Sequence, residues 1–304
     1  MTITPGAMSE VSSIAVKPLS LMMAIDGGGS GCRATLIDKD GNIIGKAKSG
    51  QANIATDWNR AYQNINNVIA LAITNSSLPA ERVPNMVVAL AVAGAERAHY
   101  VDRLRKNLNY SRVVIHSDCA ATIQGALQGE NGIVASIGTG SFFVSQVNGA
   151  QTRVGGWGFW LSDQCSGALL GQSLLRNAVA AYDGLLQTSP LIESILAEFN
   201  YCMSDLVTFS LKASPKDYAE FVPQLVKALE ANDPTASFIM KNATDTLCKI
   251  LDRLDVFAIQ KICLMGGLGS TYAKLLPEAY QKLLAKPQGS LIDGIISLAN
   301  KELE

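Results

Sequence analysis

Apolar runs separated by glycine-rich turns occur in the same order in both halves of the chain. Short apolar runs bounded by turn residues predict strands, and tight turns between them predict antiparallel pairing. The predicted strands are 22–25, 32–38 and 42–46 in the first half, and 133–138, 141–147 and 151–155 in the second. The repeated order predicts a duplicated domain.

After each set of three strands the pattern changes to alternating helices and strands. The run 86–92 is apolar throughout, which is typical of a buried parallel strand. Two more strands are predicted at 113–115 and 261–265, and helices near 56–76, 97–108, 163–183 and 291–299. Thr56 is the expected N-cap of the first helix. Residues 190–258 predict a mostly helical insertion broken at Pro215, Pro223 and Pro234.

Length and composition exclude several classes of protein. A chain of 304 residues with 48% hydrophobic residues supplies cores for two domains. Its formal net charge of -1 provides no broad basic field, so we expect neither a nucleic-acid partner nor a membrane partner. The six cysteines form no CxxC pair, which predicts free thiols in a soluble, cytoplasmic protein. Residues 1–20 lack the pattern of a signal peptide and predict a flexible tail.

Three glycine turns are the candidate chemistry of the chain. They are Asp26-Gly27-Gly28-Gly29-Ser30, Gly138-Thr139-Gly140-Ser141 and Gly266-Gly267, each directly after a predicted strand. Glycine allows positive φ and close approach, and successive N–H groups with a hydroxyl form a phosphate cradle. The first turn is not a dinucleotide fingerprint, because Cys32 replaces the last glycine and a strand follows instead of a helix.

These turns belong to an ordered set of motifs that resembles one protein family. The other motifs are Gly50-Gln51-Ala52-Asn53-Ile54, Ser117-Asp118-Cys119-Ala120-Ala121 and Gly155-Gly156-Trp157-Gly158 followed by Ser162-Asp163-Gln164. From about residue 22 to the terminal helix, the chain resembles the N-acetylglucosamine and glucosamine kinases of the BadF/BadG/BcrA/BcrD ATPase family. That family lies within the sugar kinase/Hsp70/actin superfamily.

The resemblance implies an α/β fold of two ribonuclease H-like (actin-like ATPase) domains with a cleft between them. The domains would span residues 21–120 and 121–289, with the helical insertion in the second. The terminal helix, 290–304, is expected to pack near the hinge. Two such domains imply an enzyme that binds a nucleotide and a small molecule.

By the same resemblance, the ligands are ATP, Mg²⁺ and an amino sugar, and a homodimer is left open. Asp26 would orient Mg²⁺ through water, and Asp118 would be the general base. The residues implied in nucleotide binding are Asp26, Gly27, Gly28, Gly29, Ser30, Gly138, Thr139, Gly140, Gly266 and Gly267. Those implied in sugar binding are Asn53, Asp118, Gly156, Trp157, Gly158 and Asp163.

Several alternatives stay open at this point. Asp118 and Asp163 could be helix N-caps, Asn53 a loop residue, and Trp157 a core aromatic. The aromatic run from Trp157 to Trp160 contains no acid, which favours N-acetylglucosamine as the sugar, with glucosamine as the alternative. The paired glycine loops together with Asn53, Asp118 and Asp163 predict phosphorylation at the sugar 6-hydroxyl. A dehydratase-activating ATPase with an iron–sulfur cluster and a sugar-responsive regulator without catalysis are disfavoured rivals.

Overall fold

The structure is a computed structural model that describes residues 16–304. The chain forms two compact units: unit 1 comprises the residues up to Gln128 together with Gln288–Glu304, and unit 2 comprises Gly129–Pro287. The division falls after Gln128, whereas the boundary implied by the resemblance was after residue 120.

The elements are numbered in chain order. The strands are β1 (Met22–Gly27), β2 (Cys32–Ile37), β3 (Ile43–Ser49), β4 (Val87–Val92), β5 (Arg112–His116), β6 (Gly132–Ile137), β7 (Ser141–Val147), β8 (Ala150–Val154) and β9 (Ile262–Met265). The helices are α1 (Trp58–Thr74), α2 (Ala98–Asn107), α3 (Asp118–Leu127), α4 (Gly167–Tyr182), α5 (Pro190–Glu198), α6 (Met203–Lys212), α7 (Pro215–Ala219), α8 (Val222–Glu230), α9 (Pro234–Arg253), α10 (Val256–Ile259), α11 (Gly269–Leu275), α12 (Glu278–Gln281) and α13 (Leu291–Leu303), with a short 3-10 helix at Ala80–Asn85.

Unit 1 is a five-stranded sheet in the order β3-β2-β1-β4-β5. The first three strands are antiparallel, and β1, β4 and β5 are parallel, as the turns and the apolar run 86–92 predicted. Helices α1 and α2 pack against the face that carries Met23 and Ile25. Helix α13 packs against the opposite face, which carries Met22 and Ala24. Both faces of the sheet are therefore covered.

Unit 2 repeats the first four strands of this arrangement in the order β8-β7-β6-β9. Strands β6, β7 and β8 are antiparallel, and β9 is parallel to β6. The helical insertion follows α4, and its prolines start helices: Pro215, Pro223 and Pro234 lie in the first turns of α7, α8 and α9. Proline is tolerated there because the first N–H groups of a helix have no intrahelical partner.

Two predicted details at the edges of elements are wrong or incomplete. Helix α1 is capped by Asp57, whose carboxylate accepts a hydrogen bond from Arg60 N at 3.1 Å, and not by Thr56. Thr56 N donates to the Asn53 side chain instead. Most of the predicted flexible tail, 1–15, lies outside the described residues, but Val16 and Leu19 donate backbone hydrogen bonds to Asp293 and Asn300 of α13.

Helices α3 and α13 pack at backbone contact. A Cβ atom on Gly294 would lie 1.8 Å from the Ala121 carbonyl oxygen, and one on Gly125 would lie 2.1 Å from that of Ser290. Only glycine permits this approach. The contact keeps all of α3 in unit 1 and fixes the helix whose first residue is Asp118.

In the part of the chain that the structure describes, no helix is both long enough and apolar enough to cross a bilayer.

We expect Gly294→Ala to lower the melting temperature by roughly 4–8 °C, because separating two packed helices costs about 2 kcal/mol or more. The gain in helix propensity, at most about 1 kcal/mol, is too small to offset this cost. Gly267→Ala is the control, since a Cβ there meets nothing within 4 Å. Thermal unfolding followed by circular dichroism checks both, and equal melting temperatures would contradict the packing argument.

Candidate active site

In unit 1, polar side chains collect where the parallel strands end. Asp26 pairs in register with Ala91 on β4, and Ala91 pairs with His116 on β5. Neighbouring strands lie about 4.8 Å apart, so the backbones at Asp26 and His116 are separated by roughly 10 Å. Asp118 follows two residues later. The sheet thus brings Asp26 and Asp118 to the same end of the parallel strands.

The first glycine loop is tightly packed at one residue and open at the next. A Cβ on Gly27 would lie 2.8 Å from Val92 Cγ1, whereas one on Gly29 would meet nothing within 4 Å. The Gly28 N–H donates to the Gly31 carbonyl at 2.9 Å and is used inside the loop. The expectation of positive φ is wrong for Gly27, Gly28 and Gly29. Close approach requires glycine at Gly27 only.

Asp26 lies opposite Arg33 on the neighbouring strand. Burial raises the pKa of the Asp26 carboxyl, and the positive charge of Arg33 opposes that shift. The linear sequence did not single out Arg33, although a strand–turn–strand register centred on 27–32 would place it across from Asp26. Arg33 adds a positive charge beside the glycine loop.

Asp118 is the first residue of α3, and its predicted alternative as the N-cap is wrong. Ser117 is the cap, since its Oγ accepts from Ala120 N at 3.1 Å. Oδ1 of Asp118 accepts from Cys119 N at 2.9 Å. A carboxylate in the first turn is stabilised by the positive end of the helix dipole. The side chain is therefore held as an acceptor at the sheet edge.

Asn53 has a structural role in its loop. Its Oδ1 accepts from Ala55 N at 3.0 Å and from Thr56 N at 3.1 Å. The loop is closed against Gly94, where a Cβ would lie 2.7 Å from Ala55 Cβ. These bonds occupy the amide oxygen, so the Nδ2 group is the part of Asn53 suited to donate to a ligand.

In unit 2, the second and third glycine turns lie against each other. A Cβ on Gly266, which has φ 81°, would lie 2.3 Å from the Ile137 carbonyl oxygen. Gly138 N donates to Gly140 O at 2.8 Å, and the carbonyls of Gly138 and Thr139 accept from the start of α4. The loop backbone is thereby fixed between a strand and a helix.

Asp163 lies beside this loop. A Cβ on Gly140 would be 3.0 Å from Asp163 Oδ2, so a predicted phosphate-binding residue and a predicted sugar ligand are neighbours. Asp163 has φ 64° and accepts from Gly158 N at 3.1 Å. It does not cap α4, which begins at Gly167 after its cap Ser166. Burial raises the pKa of the Asp163 carboxyl, while the Gly158 hydrogen bond and Arg153 oppose that shift.

The segment 155–160 presents tryptophan to solvent. Gly155, Gly156 and Gly158 have φ between 72° and 95°, which turns the chain sharply. Arg153 donates to the carbonyls of Gly155 and Gly156, and its guanidinium lies 4.7 Å from the Trp157 ring centre. Trp157 is 66% exposed, so the alternative prediction that it is a core aromatic is wrong. Sequence reasoning missed Arg153, which fixes this loop.

Comparison with known proteins identifies the family of this chain. Residues 24–290 match the BadF/BadG/BcrA/BcrD ATPase family, and the chain belongs to it. The chain is 32% identical over 284 residues to the glucosamine kinase GspK of Vibrio cholerae, covering 93% of this chain and 97% of that protein. It is 22% identical to an N-acetyl-D-glucosamine kinase of Dictyostelium discoideum, covering 76% of this chain and 78% of that one.

Solved structures show the same fold. A proposed N-acetylglucosamine kinase of Chromobacterium violaceum superposes with a TM-score of 0.84 at 26% identity, covering 93% of this chain and 100% of the other. A ROK family glucokinase of Streptomyces griseus gives 0.58 at 13% identity, covering 93% and 99% of the two chains. The predicted fold class, an α/β protein of two actin-like ATPase domains, is confirmed.

We expect Asp163→Asn to raise the melting temperature slightly at neutral pH, by about 1–3 °C. The amide keeps the acceptor for Gly158 N and tolerates positive φ, while it removes a charge that burial disfavours. Because the folded-state pKa is raised, the cost of ionised Asp163 is absent at low pH and appears as pH rises through that pKa. The difference in melting temperature between the variant and wild type should therefore increase from pH 4 to pH 7.

Differential scanning fluorimetry across that pH range measures the difference. A difference that stays constant with pH would show that Asp163 ionises as freely in the folded chain as in the unfolded one.

Proposed function

We propose that this protein is an ATP-dependent amino-sugar kinase that transfers the terminal phosphoryl group of ATP to the 6-hydroxyl of N-acetylglucosamine. The observation that carries the amino-sugar kinase activity is the match to a glucosamine kinase over 97% of that protein's length. The choice of N-acetylglucosamine rests on the run from Trp157 to Trp160, which contains no acid. The positions of Asp26, Asp118 and Asp163 support the kinase activity, since each carboxylate lies beside a glycine loop or a strand end.

Nucleotide binding is assigned to the glycine turns. In the first, Gly29 and Ser30 offer backbone N–H groups beside the open side of the loop, and Ser30 adds a hydroxyl. Gly27 and Gly28 supply the close approach and the turn. In unit 2, the corresponding residues are Gly138, Thr139, Gly140, Gly266 and Gly267.

Asp26 is the proposed residue for Mg²⁺. The ion prefers oxygen ligands and keeps several waters, so one carboxylate beside a phosphate cradle suits it. The open space over Gly29 leaves room for a phosphate group in that loop. When bound, Mg²⁺ neutralises charge on the transferring phosphoryl group. Arg33 is placed to add to that neutralisation, because it lies opposite Asp26.

Asp118 is the proposed general base. Transfer to a hydroxyl requires the proton to leave the sugar oxygen as the new phosphorus–oxygen bond forms. The carboxylate of Asp118 accepts that proton, and the Ser117 cap holds the helix that presents it. Its position in the first turn of α3 places the carboxylate at the positive end of the helix dipole.

The sugar is assigned to Asn53, Asp163 and the turn Gly156-Trp157-Gly158. Carboxylate and amide groups suit vicinal hydroxyls, and an exposed indole suits the apolar face of a pyranose ring. Glucosamine is the second candidate substrate, and the 32% identity to a glucosamine kinase favours it. Its ammonium group would be attracted by the Asp163 carboxylate.

Buried cysteines suit the proposed cytoplasmic setting. Burial raises the pKa of the Cys32 and Cys165 thiols to about 12, so both are unreactive core residues. A homodimer stays a prediction.

The activity is tested with purified protein, ATP and Mg²⁺ in a coupled ADP-release assay. The sugars are N-acetylglucosamine, glucosamine, glucose, N-acetylmannosamine and N-acetylmuramic acid, with mass spectrometry of the product. We expect a sugar 6-phosphate from N-acetylglucosamine and the highest kcat/KM for that sugar. A higher kcat/KM for glucosamine would select the second candidate. ADP release that does not depend on sugar would reject the kinase.

Asp118→Asn should lower kcat on the order of 10²–10⁴-fold and change sugar and ATP affinity only a few-fold, because it removes the proton acceptor and keeps the shape. Ser117→Ala is the structural control: it removes the cap of α3 and should lower the melting temperature while retaining most activity. Steady-state kinetics and calorimetry separate the two effects. Full activity in Asp118→Asn would show that Asp118 is not the general base.

A further inference from the structure

Unit 2 contains an open groove of about 470 Å³ that shares Trp157 with the proposed sugar site and is otherwise lined by residues that the proposed reaction does not use. One wall is the segment from Val154 to Gln164, and the other is one face of α9. The α9 residues are Thr246, Lys249, Ile250 and Arg253, whose spacing of three and four places them on a single helical stripe. Asp163 is not among the lining residues.

The groove carries two positive charges that the chain does not neutralise. Lys249 and Arg253 form no salt bridge with any residue in 16–304. The neighbouring acids of α9 are engaged elsewhere: Asp245 pairs with Lys241 at 2.6 Å, and Asp252 accepts from Tyr280 at 2.7 Å. The helix dipole explains a cation in the last turn, such as Arg253, but not Lys249 one turn earlier.

The facing wall is apolar and aromatic with a few polar groups. Trp157 and Leu161 are 66% and 84% exposed. The Trp157 ring is held in place by the Arg153 guanidinium. Ser162, Gln164 and Thr246 add hydroxyl and amide groups along the groove. Such a surface suits a ring with one apolar face and several hydroxyls.

We propose that this groove binds a phosphorylated amino sugar, with the phosphate on Lys249 and Arg253 and the sugar ring on Trp157. A phosphomonoester carries a charge of about -1.5 to -2 at pH 7, which matches two cations better than a single carboxylate does. The choice of an amino sugar rests on the proposed function, since that reaction makes such a molecule. The ligand would contact the same segment that carries Gly158 and Asp163, so the product would act on the loop proposed to hold the substrate.

The test is isothermal titration of the full chain with glucosamine 6-phosphate and with N-acetylglucosamine 6-phosphate. The binding of each unphosphorylated sugar is measured first, in a separate titration, and that sugar is left out of the sugar-phosphate titrations because both ligands are assigned to Trp157. The groove variant is the double substitution Lys249→Ala/Arg253→Ala. The control, Lys212→Ala/Lys227→Ala, removes two exposed charges from unit 2 outside the groove.

We expect one sugar phosphate to bind to wild type and to the control, and the groove variant to weaken Kd on the order of tenfold or more. Unchanged affinity in the groove variant, or no binding to wild type, would overturn the proposal. The assigned ligand would be wrong if inorganic phosphate, AMP or N-acetylmuramic acid bound as tightly as the sugar phosphate. If the protein phosphorylates sugar in the ADP-release assay but no sugar phosphate binds in the groove, the groove proposal is rejected and the proposed function stands. If the unphosphorylated sugar does not bind, the proposed function fails instead.

Discussion

The candidate site depends on one steric constraint, which acts at the end of a parallel strand in each unit. Gly27 lies where a Cβ would be 2.8 Å from Val92, and Gly266 lies where a Cβ would be 2.3 Å from the Ile137 carbonyl oxygen. Neighbouring strands are about 4.8 Å apart, so a chain that leaves one strand must pass against the end of the next. Glycine allows that passage and leaves backbone at the edge where polar side chains collect.

Burial and charge oppose each other at this edge in both units. Burial raises the pKa of Asp26 and of Asp163, and it is the larger influence on each, although an arginine acts against it. The fold thus holds two carboxylates whose ionised forms it does not fully stabilise. Groups that donate to a carboxylate, such as sugar hydroxyls or hydrated cations, supply part of what the free chain lacks. This arrangement is expected of a binding site and not of a core.

The direction of strand pairing was predictable from sequence because turns and continuous apolar runs are local signals. The apolar run 86–92 gave the buried parallel strand, and short turns gave the antiparallel ones. Caps were less predictable: Asp57 and Ser166 cap helices near Thr56 and Asp163, because the backbone direction at each position is set by tertiary packing. Arg33 and Arg153 were missed since their partners lie across a strand or on a neighbouring loop.

The end of the chain explains why Asp118 has a fixed position. Helix α3 carries Asp118 at its start and contacts α13 along its length through Ala121 and Gly125, where backbone meets backbone. Side chains can change rotamer, but a contact between a carbonyl oxygen and a glycine has no such freedom. The same helix α13 buries Ile295 and Ile296 against β1 and β4, the strands that end at Gly27 and Val92. One terminal helix therefore ties the proposed base to the sheet that carries the glycine loop.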